Sequence, residues 1–89
     1  MQLQHRPVDV ICVCSADGQI RPLRLQLEDE NRQLLRVHIE NIMDIKDISH
    51  VGVEGQIFRC RATVWERSWV FDLKYTFRSH TWQILGRIH

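Results

Sequence analysis

Eighty-nine residues, 44% hydrophobic and 26% charged, with a net charge of +1, make one domain with one modest core and exclude a disordered chain. No apolar run approaches the ~20 residues needed to span a bilayer, and residues 1–7 lack the apolar core of a signal peptide, so a cytoplasmic, non-membrane protein is expected. Residues 1–56 hold six Lys/Arg against nine Asp/Glu (minus three) and residues 57–89 hold six against two (plus four), a bias that marks either a binding face or a mixed, solvated surface.

In chain order, residues 1–7 read as a loose N-terminal arm ending at Pro7, and residues 8–89 as a single domain. Residues 8–14 form the first expected strand. Val8, Val10, Cys12 and Cys14 share one face, and Ile11 and Val13 occupy the other, so this strand is expected to be covered on both sides. Asp17-Gly18 then supplies a hairpin turn, because Gly18 tolerates the positive φ required there. The second strand, about residues 19–27, turns Leu23, Leu25 and Leu27 inward. Pro22 donates no ladder hydrogen bond and predicts an edge, a bulge or a kink.

After the polar turn at residues 28–32, a third strand runs from about residue 33 to 39 with Leu35, Val37 and Ile39 inward. Ile39, Ile42, Ile45 and Ile48 then recur every third residue, a spacing that fits a helical turn or a kinked strand and does not choose between them. Residues 49–55, with Gly52 and Gly55, read as a flexible connection.

The last third is the most regular. Phe58, Cys60, Ala62 and Val64 alternate with Ile57, Arg59, Arg61 and Thr63. Trp69, Phe71, Leu73 and Tyr75 alternate with Val70, Asp72 and Lys74. Trp82, Ile84, Gly86 and Ile88 alternate with Gln83, Leu85 and Arg87. A period of two through three segments predicts half-buried antiparallel strands, joined by turns at residues 66–68 and near 78–81. The expected fold is all-β: a small antiparallel barrel or strongly bent sheet of five to six strands, SH3-like or Sm-like first, an open sandwich or roll second.

Several segments carry a family resemblance: Val8-x-Val10, Asp17-Gly18-x-Ile20-x-Pro22-Leu23, Phe58-Arg59-Cys60, Leu73-x-Tyr75 and Trp82-x-Ile84-Leu85. Together they resemble a group of short bacterial β proteins of unknown function. The resemblance spans nearly the whole chain. Its motifs are turns, kinks and core positions, so it implies a fold and no activity.

The chemistry-bearing residues point away from catalysis. A zinc site would need four N/S ligands in a tetrahedron. Cys12-x-Cys14 on a strand is not a C-x-x-C knuckle and no second pair follows, so Cys12, Cys14 and Cys60 read as unbridged, metal-free thiols on inward rows. No serine or cysteine sits in the local context of a nucleophile. The acidic pairs lie in polar turns, and Gly52-Val53-Glu54-Gly55 lacks the lysine of a phosphate-binding loop. The expectation is a non-enzyme without cofactor or metal.

Two binding readings remain. Arg59, Arg61 and Lys74 on outward rows, with Trp65 and also Ile57 and Phe77 nearby, are the ingredients of a single-stranded nucleic-acid surface. A cross-strand ion pair of Asp72 with Arg59 or Arg61 is the plainer account of the same charges. Self-association or a protein partner is the other reading, because both faces of the first strand and the outward Ile57, Val70 and Leu85 leave more apolar surface than one small core hides.

Overall fold

The computed structural model describes residues 6–28 and 31–85. These form eight strands and no helix: β1 (Arg6–Pro7), β2 (Asp9–Cys14), β3 (Ile20–Glu28), β4 (Leu34–His38), β5 (Asn41–His50), β6 (Val53–Val64), β7 (Arg67–Thr76) and β8 (Thr81–Leu85). The protein is all-β, as expected. Residues 1–5 of the expected arm, and the expected strand positions Gly86 to Ile88, lie outside the described residues.

The strands build two antiparallel sheets, one ordered β1-β8-β7-β6-β5 and the other β2-β3-β4. No closed barrel is found among the described residues. The chain crosses between sheets at two places. Around Val8 it passes from β1 to β2, and the Val8 N–H donates to the Trp82 carbonyl at 3.2 Å. Around Ile39 and Glu40 it passes from β4 to β5, with the Ile39 N–H on the Leu23 carbonyl and the Glu40 N–H on the Arg61 carbonyl, both at 2.9 Å. Beyond these points the sheets part, with β1 and β5 at the edges of the larger sheet and β2 and β4 at those of the smaller.

The turns follow local chemistry. Ser15 and Gln19 close the β2–β3 loop through a backbone bond of 2.9 Å, and Gly18 sits at φ 87°, the arrangement of a three-residue hairpin loop with its left-handed residue last. The Ser15 hydroxyl, followed by the Gln19 N–H, donates to the Asp17 carboxylate and holds it below the usual carboxylate range. The β5–β6 connection is tight rather than flexible: only Val51 and Gly52 intervene, both at positive φ. Gly55 belongs to β6. A Cβ there would stand 2.1 Å from the Tyr75 carbonyl oxygen, so the β6–β7 ladder demands a residue without a side chain. Trp65 and Glu66, both at positive φ, close β6–β7, one step earlier than the expected turn at 66–68.

The core lies between the sheets. Phe58, Cys60 and Ala62 of β6, Phe71, Leu73 and Tyr75 of β7, and Trp82 and Ile84 of β8 are buried against Leu25, Leu27 and Val37 of the smaller sheet. Trp82 stacks obliquely on Tyr75 (centroids 4.8 Å) and Phe58 (5.6 Å). Trp69 and Val64 flank this cluster half-buried, and the Trp69 indole N–H donates to the Val64 carbonyl at 3.2 Å.

Two bulges revise the expected inward rows. In the β2–β3 ladder Ile11 faces Arg24 while Cys12 faces Pro22, so Leu23 is the extra residue. Pro22 is buried in Leu23's place and Leu23 is exposed. In the β5–β6 ladder Ile42 faces Cys60 and Asp44 faces Arg59, leaving Met43 unpaired. This bulge resolves the every-third-residue isoleucines. Ile42 and Ile45 share the inner face because one residue is bulged out between them, whereas Ile48, beyond the bulge, faces outward opposite Gly55. The segment is a kinked strand, not a helical turn.

Candidate functional site

The outer face of the larger sheet gathers three of the four residues singled out by sequence. Arg59 stands opposite Asp72, Arg61 opposite Val70, and Lys74 opposite Ile57. Trp65 is not among them. It caps the hairpin tip, 62% exposed, four residues beyond Arg61 and therefore about 13 Å further along the strand. Phe77 follows the far end of β7 and packs edge-on against Tyr75 (5.6 Å). The aromatics thus occupy opposite ends of the hairpin and do not interleave with the cations, as a stacking track for bases requires.

Arg59 grips Asp72 with both arms of its guanidinium, Nε to Oδ1 at 3.0 Å and Nη2 to Oδ2 at 3.3 Å. Hydrogen bonding to Asp72, then its charge, raises the Arg59 pKa, with Asp44 adding a smaller pull from β5. The row Asp44–Arg59–Asp72 therefore alternates in sign across three strands. Arg61 and Lys74 remain as separate cations on either side of it, two residues along the ladder in each direction.

A second basic face was not legible from spacing. On the outer side of the smaller sheet, Arg24 stands between Ile11 and His38, Gln26 between Asp9 and Arg36, and Arg21 opposite Val13. Arg21 and Arg24 are three residues apart, which on a regular strand puts them on opposite faces. The bulge at Leu23 brings them to the same one. Arg21, Arg24 and Arg36 make no ion pair among the described residues.

The cysteines divide. Cys60 is buried in the core, and burial pushes its thiol up to about 12. Cys12 and Cys14 are exposed, which corrects the expectation that all three sit on covered rows: β2 diverges from β8 after Val8, so the side of β2 that carries them lies open. Ile11 and Val13 on the other side are exposed as well, so β2 is covered on neither face at this end. All three thiols are unbridged. Among the described residues no three His, Cys, Asp or Glu side chains converge as a metal site would require, and no helix is long and apolar enough to cross a membrane.

A broad, shallow groove of about 730 Å³ opens where the sheets part beside the β4–β5 crossing. Its walls are Arg21, Pro22 and Leu23 of β3 and the run from Ile39 to Ile45. Both bulged residues line it. Leu23 is 40% exposed, Met43 51% and Ile45 48%, while Ile39 and Ile42 extend the apolar floor toward the core. The upstream part of β3 has lost its β4 neighbour here, since pairing with β4 begins at Arg24, and β5 has no outer neighbour among the described residues. On the β5 side the groove is therefore bordered by backbone with unfilled ladder positions, whereas on the β3 side the Leu23 carbonyl is already taken by the Ile39 N–H.

No family model matches the chain, and neither a curated protein nor a solved structure matches it.

Proposed function

We propose that this chain is a non-enzymatic binding and assembly module, working in the cytoplasm, whose working surface is the groove between β3 and β5 with the adjoining free edge of β5. The observation that carries the reading is the convergence of Leu23, Met43 and Ile45, three large apolar side chains held about half-exposed in one groove. Bulges concentrate where a strand edge is shaped for a purpose, and here two separate bulges aim their extra residues at the same place. Exposed apolar surface beside open backbone suits a protein segment added in the extended conformation. The odd number of unbridged cysteines supports a reducing compartment, and the two strand switches support reading the fold as an opened relative of small SH3-like barrels.

Light scattering of the purified chain tests the reading. A mass near a multiple of 10.7 kDa that falls toward one chain in Leu23→Glu, with the β circular dichroism unchanged, is the expected result. A clean monomer at every attainable concentration, unaffected by Leu23→Glu, would remove the assembly reading.

A second reading is favoured by the arginines on the smaller sheet, which make no ion pair among the described residues. Arg21, Arg24 and Arg36 beside Ile11 offer phosphate contacts, and guanidinium planes on which unstacked bases of a single strand can lie. Titration with labelled single-stranded DNA and RNA at two salt concentrations checks it. Salt-sensitive binding lost in Arg24→Ala and Arg36→Ala, but retained in Arg61→Ala and Lys74→Ala, would favour this face over the outer face of the larger sheet.

A further inference from the structure

Resting on the assembly reading, the structure assigns the free edge of β5 a specific occupant: a second copy of β5, antiparallel, with Ile45 on the twofold axis. We infer this from the order of charges along the edge. Asp44 and Lys46 share the outer face, opposite Arg59 and Ile57, while Ile45 between them faces inward opposite Phe58. When two identical strands pair antiparallel about a twofold axis perpendicular to the sheet, the residue on the axis faces its own copy, and residues equally distant from it face each other. With Ile45 on the axis, Asp44 of each chain meets the partner's Lys46, and Ile45 meets the partner's Ile45. The two five-stranded sheets then become one.

The neighbouring registers are closed by the same charges. An axis through Asp44, Lys46 or Asp47 sets that charge directly against its own copy, which is destabilising across a strand pair. An axis through Ile48 sets Lys46 against the partner's His50 and Asp47 against Ser49, with no opposite charges facing. Of the positions from Asp44 to Ile48, the Ile45 axis alone brings opposite signs together, and it does so twice.

The surrounding structure fits this register. A lysine on a sheet edge ordinarily repels an incoming strand. With Asp44 two residues away, the same lysine admits one register and rejects the others. The alternating row Asp44–Arg59–Asp72 gains a further cation from the partner, so the sign alternation continues across the junction. Asp47 comes opposite the Met43 bulge, but it is already held by its own chain, because the Gln56 side-chain amide donates to it at 3.0 Å. Ile45 and Met43, both about half-exposed, lie at the junction and are covered there. The bulge at Met43 limits the paired stretch to a few residues on each side of the axis, which suits a reversible dimer.

Charge reversal with complementation tests the proposal. Asp44→Lys makes each contact Lys against Lys, and Lys46→Asp makes each Asp against Asp. Sedimentation of either variant alone is expected to show self-association weakened on the order of tenfold or more. An equimolar mixture is expected to recover wild-type association, because a heterodimer of the two restores both opposite-charge contacts. Self-association that neither reversal weakens would overturn the β5 register while leaving the assembly reading standing. Weakening without recovery in the mixture would likewise overturn it. A wild-type chain that is monomeric throughout would remove both. Should either reversal fail to fold, the milder Asp44→Asn and Lys46→Gln provide the reading: weaker association with a smaller salt dependence is expected, and an unchanged mass would contradict the register.

Discussion

The two sheets obey the same alternation of apolar and polar residues, yet they meet different fates. In the β6–β7 hairpin the inward row is sealed: Phe58, Cys60, Ala62, Phe71 and Leu73 are all buried. In the smaller sheet only Leu25, Leu27 and Val37, with Pro22, reach that state, and Ile11, Val13 and Leu23 stay substantially exposed. Local pattern determines which face a side chain takes. Whether that face becomes a core depends on what lies across from it: Ile11 and Val13 lie on the outer side of the small sheet, away from β6–β8, and on its inner side the cover stops short of Cys12 and Cys14.

The largest expected effect separates the two regions directly. Phe58→Ala opens a cavity beneath Trp82 and should cost about 3–5 kcal/mol, and Phe71→Ala should fall in the same range. Ile11→Ala, on a face with half its surface in water, should cost under about 1 kcal/mol. Denaturant melts of the three variants check this. Equal losses at Ile11 and Phe58 would mean that β2 is covered after all.

Next in size is Gly55→Ala. A methyl group at this position collides with the Tyr75 carbonyl, which belongs to the backbone and cannot swing aside, so β6 and β7 must separate locally. A loss of about 1–3 kcal/mol is expected, read from thermal melts. A neutral result would show that the end of the hairpin gives way freely.

The thiols sharpen the contrast through pH. Cys60 is raised from 9.0 to about 12 by burial, so between those values the unfolded chain releases a proton that the folded chain keeps. Stability is therefore full below pH 9 and falls as pH rises toward 12. Tyr75, whose phenol is also raised, chiefly by burial, adds to the same slope. Cys60→Ala should flatten it in part. At pH 8 a thiol reagent should label Cys12 and Cys14 promptly and Cys60 only on unfolding. Prompt labelling of all three would place Cys60 outside the core.

The smallest expected effect is at the Arg59–Asp72 pair. Both ends are in solvent contact, so a double-mutant cycle should give a weak coupling that fades with added salt. A large, salt-insensitive coupling would mean that this face is covered in solution.

The sequence carried the last third of the fold almost entirely. Uninterrupted alternation from Phe58 to Val64 and from Trp69 to Tyr75 leaves no other inward row, Asp17-Gly18 announced a turn by backbone chemistry alone, and Pro22 announced an irregularity (edge, bulge or kink) that proved to be a bulge. What it hid were the consequences of the two bulges. One extra residue at Leu23 or Met43 shifts the parity of everything beyond it, so Pro22 replaced Leu23 in the core, Arg21 joined Arg24 on one face, and Ile42 and Ile45 came to share an inner side. Bulge positions depend on tertiary pairing rather than on a local signature, and the groove exists only through that pairing. Of the candidate residues, Arg59, Arg61 and Lys74 were placed on one face by alternation alone. Trp65 was misplaced, because the hairpin closes through Trp65 and Glu66 at positive φ, which nothing in those two residue types announces.

We propose the groove and the β5 edge as the working surface. Methyl NMR of the wild-type chain across a concentration series tests it most directly. Concentration-dependent shifts are expected at Met43 and Ile45, extending to Leu23 across the groove, with Ile11 and Val13 on the opposite edge unmoved. Shifts confined to Ile11 and Val13, or none at any methyl group, would contradict it.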